Sequence, residues 1–164
     1  MGDPLTMDLE SWRRCFETNV LGSMELVRGI APGMKETGGG SIVLIGSQSM
    51  FLPLMPQAGY AASKGALLSA MYYLAKDLGP DQIRVNMVVP SWMWGPPVQG
   101  LIKYRAKTEG RTEAEVLADI TDTIPLRRMA ADEDVAEMVI FLCSDRAQCI
   151  TGQNILVNAG EMLR

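Results

Sequence analysis

Two short runs constrain this chain more than anything else in it. Ser41-Ile42-Val43-Leu44-Ile45-Gly46 and Ile83-Arg84-Val85-Asn86-Met87-Val88-Val89 are rich in β-branched residues and almost continuously apolar, and each follows a long stretch with helical spacing. A strand covered on both faces reads this way, whereas a strand with one wet face alternates. Two such strands separated by a helix need a crossover and therefore lie parallel.

The remaining segments fit the same alternation. Leu9, Trp12, Phe16, Val20, Met24, Val27 and Ile30 recur at three- and four-residue steps, predicting a helix over 8–31 with Asp8 as its N-cap. Pro32-Gly33 and Gly38-Gly39-Gly40 are expected to stop it. Tyr60 to Leu78 reads as a second helix closed by Gly79-Pro80, and Pro90 ends the second strand. Helices are expected over 98–108, over 112–121 behind the capping box Thr112-x-x-Glu115, and over 132–144, before a last strand at 154–157. Residues 91–130 read as a lid inserted into one domain spanning 1–164. The predicted fold is α/β, a partial, doubly wound parallel sheet of about three strands with flanking helices. Ligands bind such sheets beyond the carboxyl ends of the strands, so the loops after Ile45 and Val89 are the places to look.

Composition narrows the chemistry. With 164 residues, 48% of them apolar and 21% charged, the chain can bury a core. It has no histidine, which removes imidazole acid/base work, and a net charge of -4 has the wrong sign for neutralising nucleic-acid phosphates. Cys15, Cys143 and Cys149 lack the spacing of a zinc site or a disulfide framework and fit a reducing cytoplasm; no metal centre is expected. The start Met1-Gly2-Asp3-Pro4 lacks a basic region, and no run approaches the roughly 18 apolar residues of a membrane span. The twelve methionines read as core filling and Arg127-Arg128 as a solvated pair.

Without histidine or metal, proton transfer needs another group. Ser47 follows the first strand, Tyr60 lies thirteen positions later, and Lys64 is one helical turn beyond it. A phenol titrates near 10, and an ammonium at about 4 Å in an effective dielectric of about 20 contributes roughly 4 kcal/mol toward its ionised form. A serine hydroxyl beside it could hold the reacting oxygen. Such a set suits proton transfer to an oxygen whose carbon exchanges hydride with a cofactor.

Ser47, the run Tyr60-Ala61-Ala62-Ser63-Lys64, and Asn19-Val20-Leu21-Gly22 upstream resemble the short-chain dehydrogenases/reductases in order and spacing. The resemblance extends through Arg84-Val85-Asn86, Pro90 and Ile150-Thr151-Gly152-Gln153. It implies a Rossmann-like fold and an NAD- or NADP-dependent oxidoreductase acting on a small-molecule alcohol or carbonyl. By that resemblance Asn19 organises a relay water, Ser47 binds the reacting oxygen, Tyr60 is the acid/base, and Lys64 holds the nicotinamide ribose. Pro90, Ser91 and Met93 would meet the nicotinamide. Ser91 and Gly95 depart from the family pattern, which has Gly after the proline and often a hydroxyl near position 95. Gln48, Trp92 and Trp94 are expected in a substrate pocket with Val98 and Leu101, although the tryptophans could equally pack the lid onto the core. Asn158-Ala159-Gly160 is expected only to end the last strand.

Gly38-Gly39-Gly40 precedes a strand and is no phosphate cradle, so the glycine-rich first half of a dinucleotide fold is expected to lie outside this chain. That would leave Ser41 to Gly46 as a sheet edge. Self-association into a homo-oligomer is therefore expected, through the helices at 8–31 and 60–78 or at the bare edge. The alternative from another class is an inactive, truncated, oligomerising remnant that binds no cofactor.

Overall fold

A computed structural model describes residues 4–163 of the chain. Three strands, β1 (Gly40–Ile45), β2 (Ile83–Pro90) and β3 (Asn154–Val157), form one parallel sheet in the order β1-β2-β3. Helices α1 (Leu9–Phe16), α2 (Gly22–Glu36) and α3 (Ala58–Leu78) precede the first crossover's return. After β2 come α4 (Pro96–Glu109), α5 (Glu113–Thr121) and α6 (Asp132–Cys143). None of the described helices is long and apolar enough to cross a membrane.

Each face of the sheet has its own cluster. On one, Ile42 and Leu44 of β1 and Val85 and Met87 of β2 pack against Val27, Leu67 and Met71 from α2 and α3. On the other, Val88 packs with Val135 and Leu142 of α6 and with Ala147. Central β2 is buried along almost its whole length, as its unbroken apolar run requires. Its two polar residues serve the approach to β3. Arg84 donates to the carbonyls of Leu142, Ser144 and Ile150, while buried Asn86 donates to Ile150 O at 2.8 Å and accepts from the Gln153 N–H at 3.0 Å.

Among the described residues β1 pairs only with β2, and its second face is covered less completely than its apolar run suggests. Val43 is half-buried beside α6, and Ile45 is 43% exposed.

The first helical stretch departs from expectation twice. Pro32-Gly33 does not stop it: α2 runs on to Glu36 with Pro32 inside. Arg28 and Pro32 are both exposed, so water can take the hydrogen bond that the proline ring denies the Arg28 carbonyl. The extra turn carries Met34 over the start of β1, where a Cβ on Gly40 would meet Met34 Sδ at 2.6 Å. The chain turns away past Glu36 at Gly38, whose φ of 85° favours glycine, with Gly38 N–H donating to Lys35 O and Gly39 N–H to Met34 O. The second departure is a π-helical turn over Glu17–Leu21, between α1 and α2.

Residues 91–130 carry α4 and α5, which share a cluster of Ile102, Val116, Ile120 and Ile124. The predicted capping box is formed: Thr112 Oγ1 accepts from the Glu115 N–H, and the Glu115 carboxylate accepts from the Thr112 N–H. At the base of the segment Ala130 N–H donates to Trp92 O and Trp94 N–H to Ala130 O, so its two ends are tied together by an isolated bridge.

Candidate active site

The carboxyl ends of β1 and β2 open into a cavity of ≈ 310 Å³. Gly46 makes the exit from β1 possible. Its N–H donates to Val88 O at 2.8 Å, and a Cβ there would lie 2.6 Å from Met87 Sδ. Ser47 follows in extended conformation and caps the turn Gln48–Met50. Its Oγ accepts from the Ser49 N–H at 3.3 Å and the Ser49 hydroxyl at 3.0 Å. With its lone pairs engaged, the Ser47 hydroxyl proton is left to point at a ligand.

Tyr60 stands in the first turn of α3 and lines the same cavity as Ser47. Lys64, one turn on, lies with Nζ 5.7 Å from the centroid of the Tyr60 ring. Its ammonium donates to Ile45 O at 2.8 Å, anchoring α3 to the last residue of β1. Burial lowers the Lys64 pKa below the ordinary 10.5, because the charged form loses hydration.

Asn19 sits on the π-helical turn, and its Nδ2 donates to the fully buried Ser63 Oγ at 2.9 Å. Ser63 in turn donates to Tyr60 O at 2.7 Å, so Asn19 is joined to the backbone of the tyrosine. Turns of this kind occur often at functional sites because they re-aim one side chain without ending the helix.

The far wall of the cavity comes from Ser91, Trp92, Val98 and Leu101, with Gln48 on the near side. Trp92 lines the cavity and packs on the α4–α5 cluster within residues 91–130. Trp94 is 47% exposed and is not among the lining residues. Pro90 is buried as the last residue of β2, and the Met93 carbonyl accepts from the Gly95 N–H at 2.8 Å.

Two residues absent from the expected site stand behind the cavity's lining and hold it. Buried Asn158 does more than end β3: its Nδ2 donates to Gln48 Oε1 at 2.6 Å and its Oδ1 accepts from the Gly160 N–H. The Glu161 carboxylate accepts from Gln48 Nε2 at 2.8 Å, Trp92 Nε1 at 3.1 Å and Ser91 Oγ. No local motif marks Glu161; only the fold brings it to residues 70 and 113 positions away.

Comparison with known proteins gives this arrangement its relatives. A family model described as enoyl-(acyl carrier protein) reductase matches residues 1–161. The human dehydrogenase/reductase SDR family member 4 is 33% identical over 163 residues, covering 99% of this chain and 55% of that protein. A short-chain type dehydrogenase/reductase of Sinorhizobium fredii is 35% identical over 162 residues, covering 96% of this chain and 60% of its own length. Among solved structures, L-sorbose reductase from Gluconobacter frateurii, complexed with NADPH and L-sorbose, superposes with a TM-score of 0.93 at 30% identity, over 99% of this chain and 62% of that one. The chain thus spans little more than half the length of the curated relatives it matches.

Proposed function

From the chain's membership of the short-chain dehydrogenase/reductase family, we propose that it serves hydride transfer between NAD or NADP and a small alcohol or carbonyl compound, with Tyr60 as general acid/base. The observation that carries this reading is the presence of the Ser47 and Tyr60 side chains on one cavity at the carboxyl end of a parallel sheet, with Lys64 fixed one turn behind.

A cofactor suits the residues present. The Lys64 ammonium has three N–H groups and spends one on Ile45 O, which leaves donors for ribose hydroxyls. Tyr60 and Lys64, with Pro90, Ser91 and Met93 on the facing loop, would hold the nicotinamide end. When bound, the nicotinamide supplies or accepts the hydride.

The chain's own side chains handle the proton. Tyr60 donates its hydroxyl proton to a carbonyl oxygen on reduction and takes it back from an alcohol on oxidation. Ser47 donates to the same oxygen and fixes its position, since its acceptor sites are occupied by Ser49. Asn19 commits an N–H to Ser63, and its Oδ1 is the atom that would receive a relay water.

Titration with reduced nicotinamide cofactor, followed by its fluorescence, tests the proposal. Saturable binding that is lost in Lys64→Ala supports it, as does turnover reduced by at least about a hundredfold in Tyr60→Phe with unchanged circular dichroism. No binding at millimolar concentration, or full turnover in Tyr60→Phe, overturns it. A second reading, an oligomerising protein that binds no cofactor, is favoured by the exposed apolar side chains Leu26 and Tyr73 on α2 and α3. The same titration separates the two.

A further inference from the structure

The walls of the cavity have a definite chemistry. Leu52, Leu54, Val98, Leu101 and the ring of Trp92 supply apolar surface, and none of the described lining residues is Lys, Arg, Asp or Glu. A phosphate or carboxylate entering it would meet no cation and would have to shed its hydration for nothing.

Behind the wall stands Glu161. An ionised carboxylate only accepts, and this one engages the amide of Gln48, the hydroxyl of Ser91 and the indole N–H of Trp92. These are three of the donors with which the cavity could otherwise grip a polar or anionic guest. Glu161 withdraws them and places a negative charge behind the side chains that lose them. The hydroxyls of Ser47 and Tyr60 and the amide of Gln57 remain, all of them neutral groups suited to a neutral oxygen.

We infer that the cavity takes an uncharged ketone or secondary alcohol carried on an apolar body, and that Glu161 is the positioning residue which sets this preference through Gln48, Ser91 and Trp92. The inference rests on reading the cavity as the substrate site of the proposed oxidoreductase. It concerns which molecule enters; the hydride chemistry is a separate matter.

The test is binding to the chain itself, without cofactor, read from the indole N–H resonance of Trp92 in isotope-labelled protein. Trp92→Phe assigns that resonance by removing it. Para-methylacetophenone and para-acetylbenzoate share a shape and a ketone and differ by a methyl against a carboxylate. The methyl ketone should shift the resonance saturably, and the anion should bind at least about tenfold more weakly. Glu161→Gln keeps the size and one acceptor oxygen while removing the charge and adding a donor. It should bring the anion's affinity up by about tenfold and leave the neutral ketone's nearly unchanged. A merely structural Glu161 would weaken both ligands together.

Equal affinity for the two probes in the unmodified chain overturns the inference, as does binding of neither, or a parallel change in Glu161→Gln. Because no cofactor is present, a failed cofactor titration leaves this result standing. Conversely, cofactor binding with no preference between the probes overturns this inference alone.

Discussion

Asn19 and Ser63, 44 positions apart, are joined by a 2.9 Å hydrogen bond between the π-helical turn and the buried face of α3. The bond has a purpose in the packing: Ser63 is fully buried, and its hydroxyl passes the connection on to the Tyr60 carbonyl. Replacing Asn19 by Leu removes the donor and leaves the Ser63 acceptor unpaired in the core. We expect a loss of about 1–3 kcal/mol in urea unfolding. An unchanged midpoint would mean that the π-helical turn is held by other contacts.

Gly46 is required by contact. Adding a Cβ drives it into Met87 Sδ and to 3.2 Å from Val89 Cγ2, so Gly46→Ala should cost about 1–3 kcal/mol. Met87→Val shortens the side chain that is struck. The double variant should therefore lose less than the sum of the two single ones, and strict additivity in a double-mutant cycle would refute the contact.

Asn158→Asp tests the contact behind Gln48 by its pH dependence. An ionised aspartate cannot donate to Gln48 Oε1, while a protonated one can. The native carboxyl pKa of the variant should then be raised above its unfolded value near 3.9. Stability relative to the parent should be highest below that value and fall as pH rises through the native one, by about 1–3 kcal/mol in all. A flat difference across this range would show that the Gln48 amide has turned over.

For Lys64 the sign runs the other way. Burial holds its native pKa below 10.5, so between the lowered value and 10.5 the unfolded chain carries more protons than the folded one. The contribution of Lys64 to stability should therefore rise with pH across that window and be lowest below it. Lys64→Met abolishes the titration. The unfolding free energy of the parent minus that of the variant should climb as pH rises toward the ordinary lysine value, and a falling curve would contradict the buried placement.

Leu26, 71% exposed on α2, and Tyr73, 68% exposed on α3, are the residues to change if the chain self-associates. Sedimentation is expected to show a dimer or larger species that shifts toward monomer in Leu26→Lys/Tyr73→Lys. A folded monomer at micromolar concentration in the unmodified chain would remove the homo-oligomer from the proposal.

Much of this architecture was legible before any coordinates. Strand positions followed from two apolar runs, and helix ends followed from Asp8, Thr112 and Gly79-Pro80, because these signals act over a few residues. Pro32 misled for a local reason of another sort: its missing hydrogen bond falls where water can replace it, and Met34 gains burial beyond it. The π-helical turn had left a trace. Trp12, Phe16, Val20 and Met24 are spaced by three successive four-residue steps, which overrun a regular helix by about 120°. One wider turn absorbs the excess. Ser47, Tyr60 and Lys64 could be picked out because the spacing within one strand–loop–helix unit places them. Glu161 could not, since its partners belong to other loops and nothing nearby in the chain signals them.

The backbone tie between Ala130 and the Trp92–Trp94 stretch closes residues 91–130 into a unit with an interior of its own. Ser47, Tyr60 and Lys64 all come from outside that unit. On the proposed reading, the stretch that would shape the guest and the stretch that would move the proton are separable: the former could be exchanged as a cassette between relatives, and new tastes acquired, while the latter stays untouched.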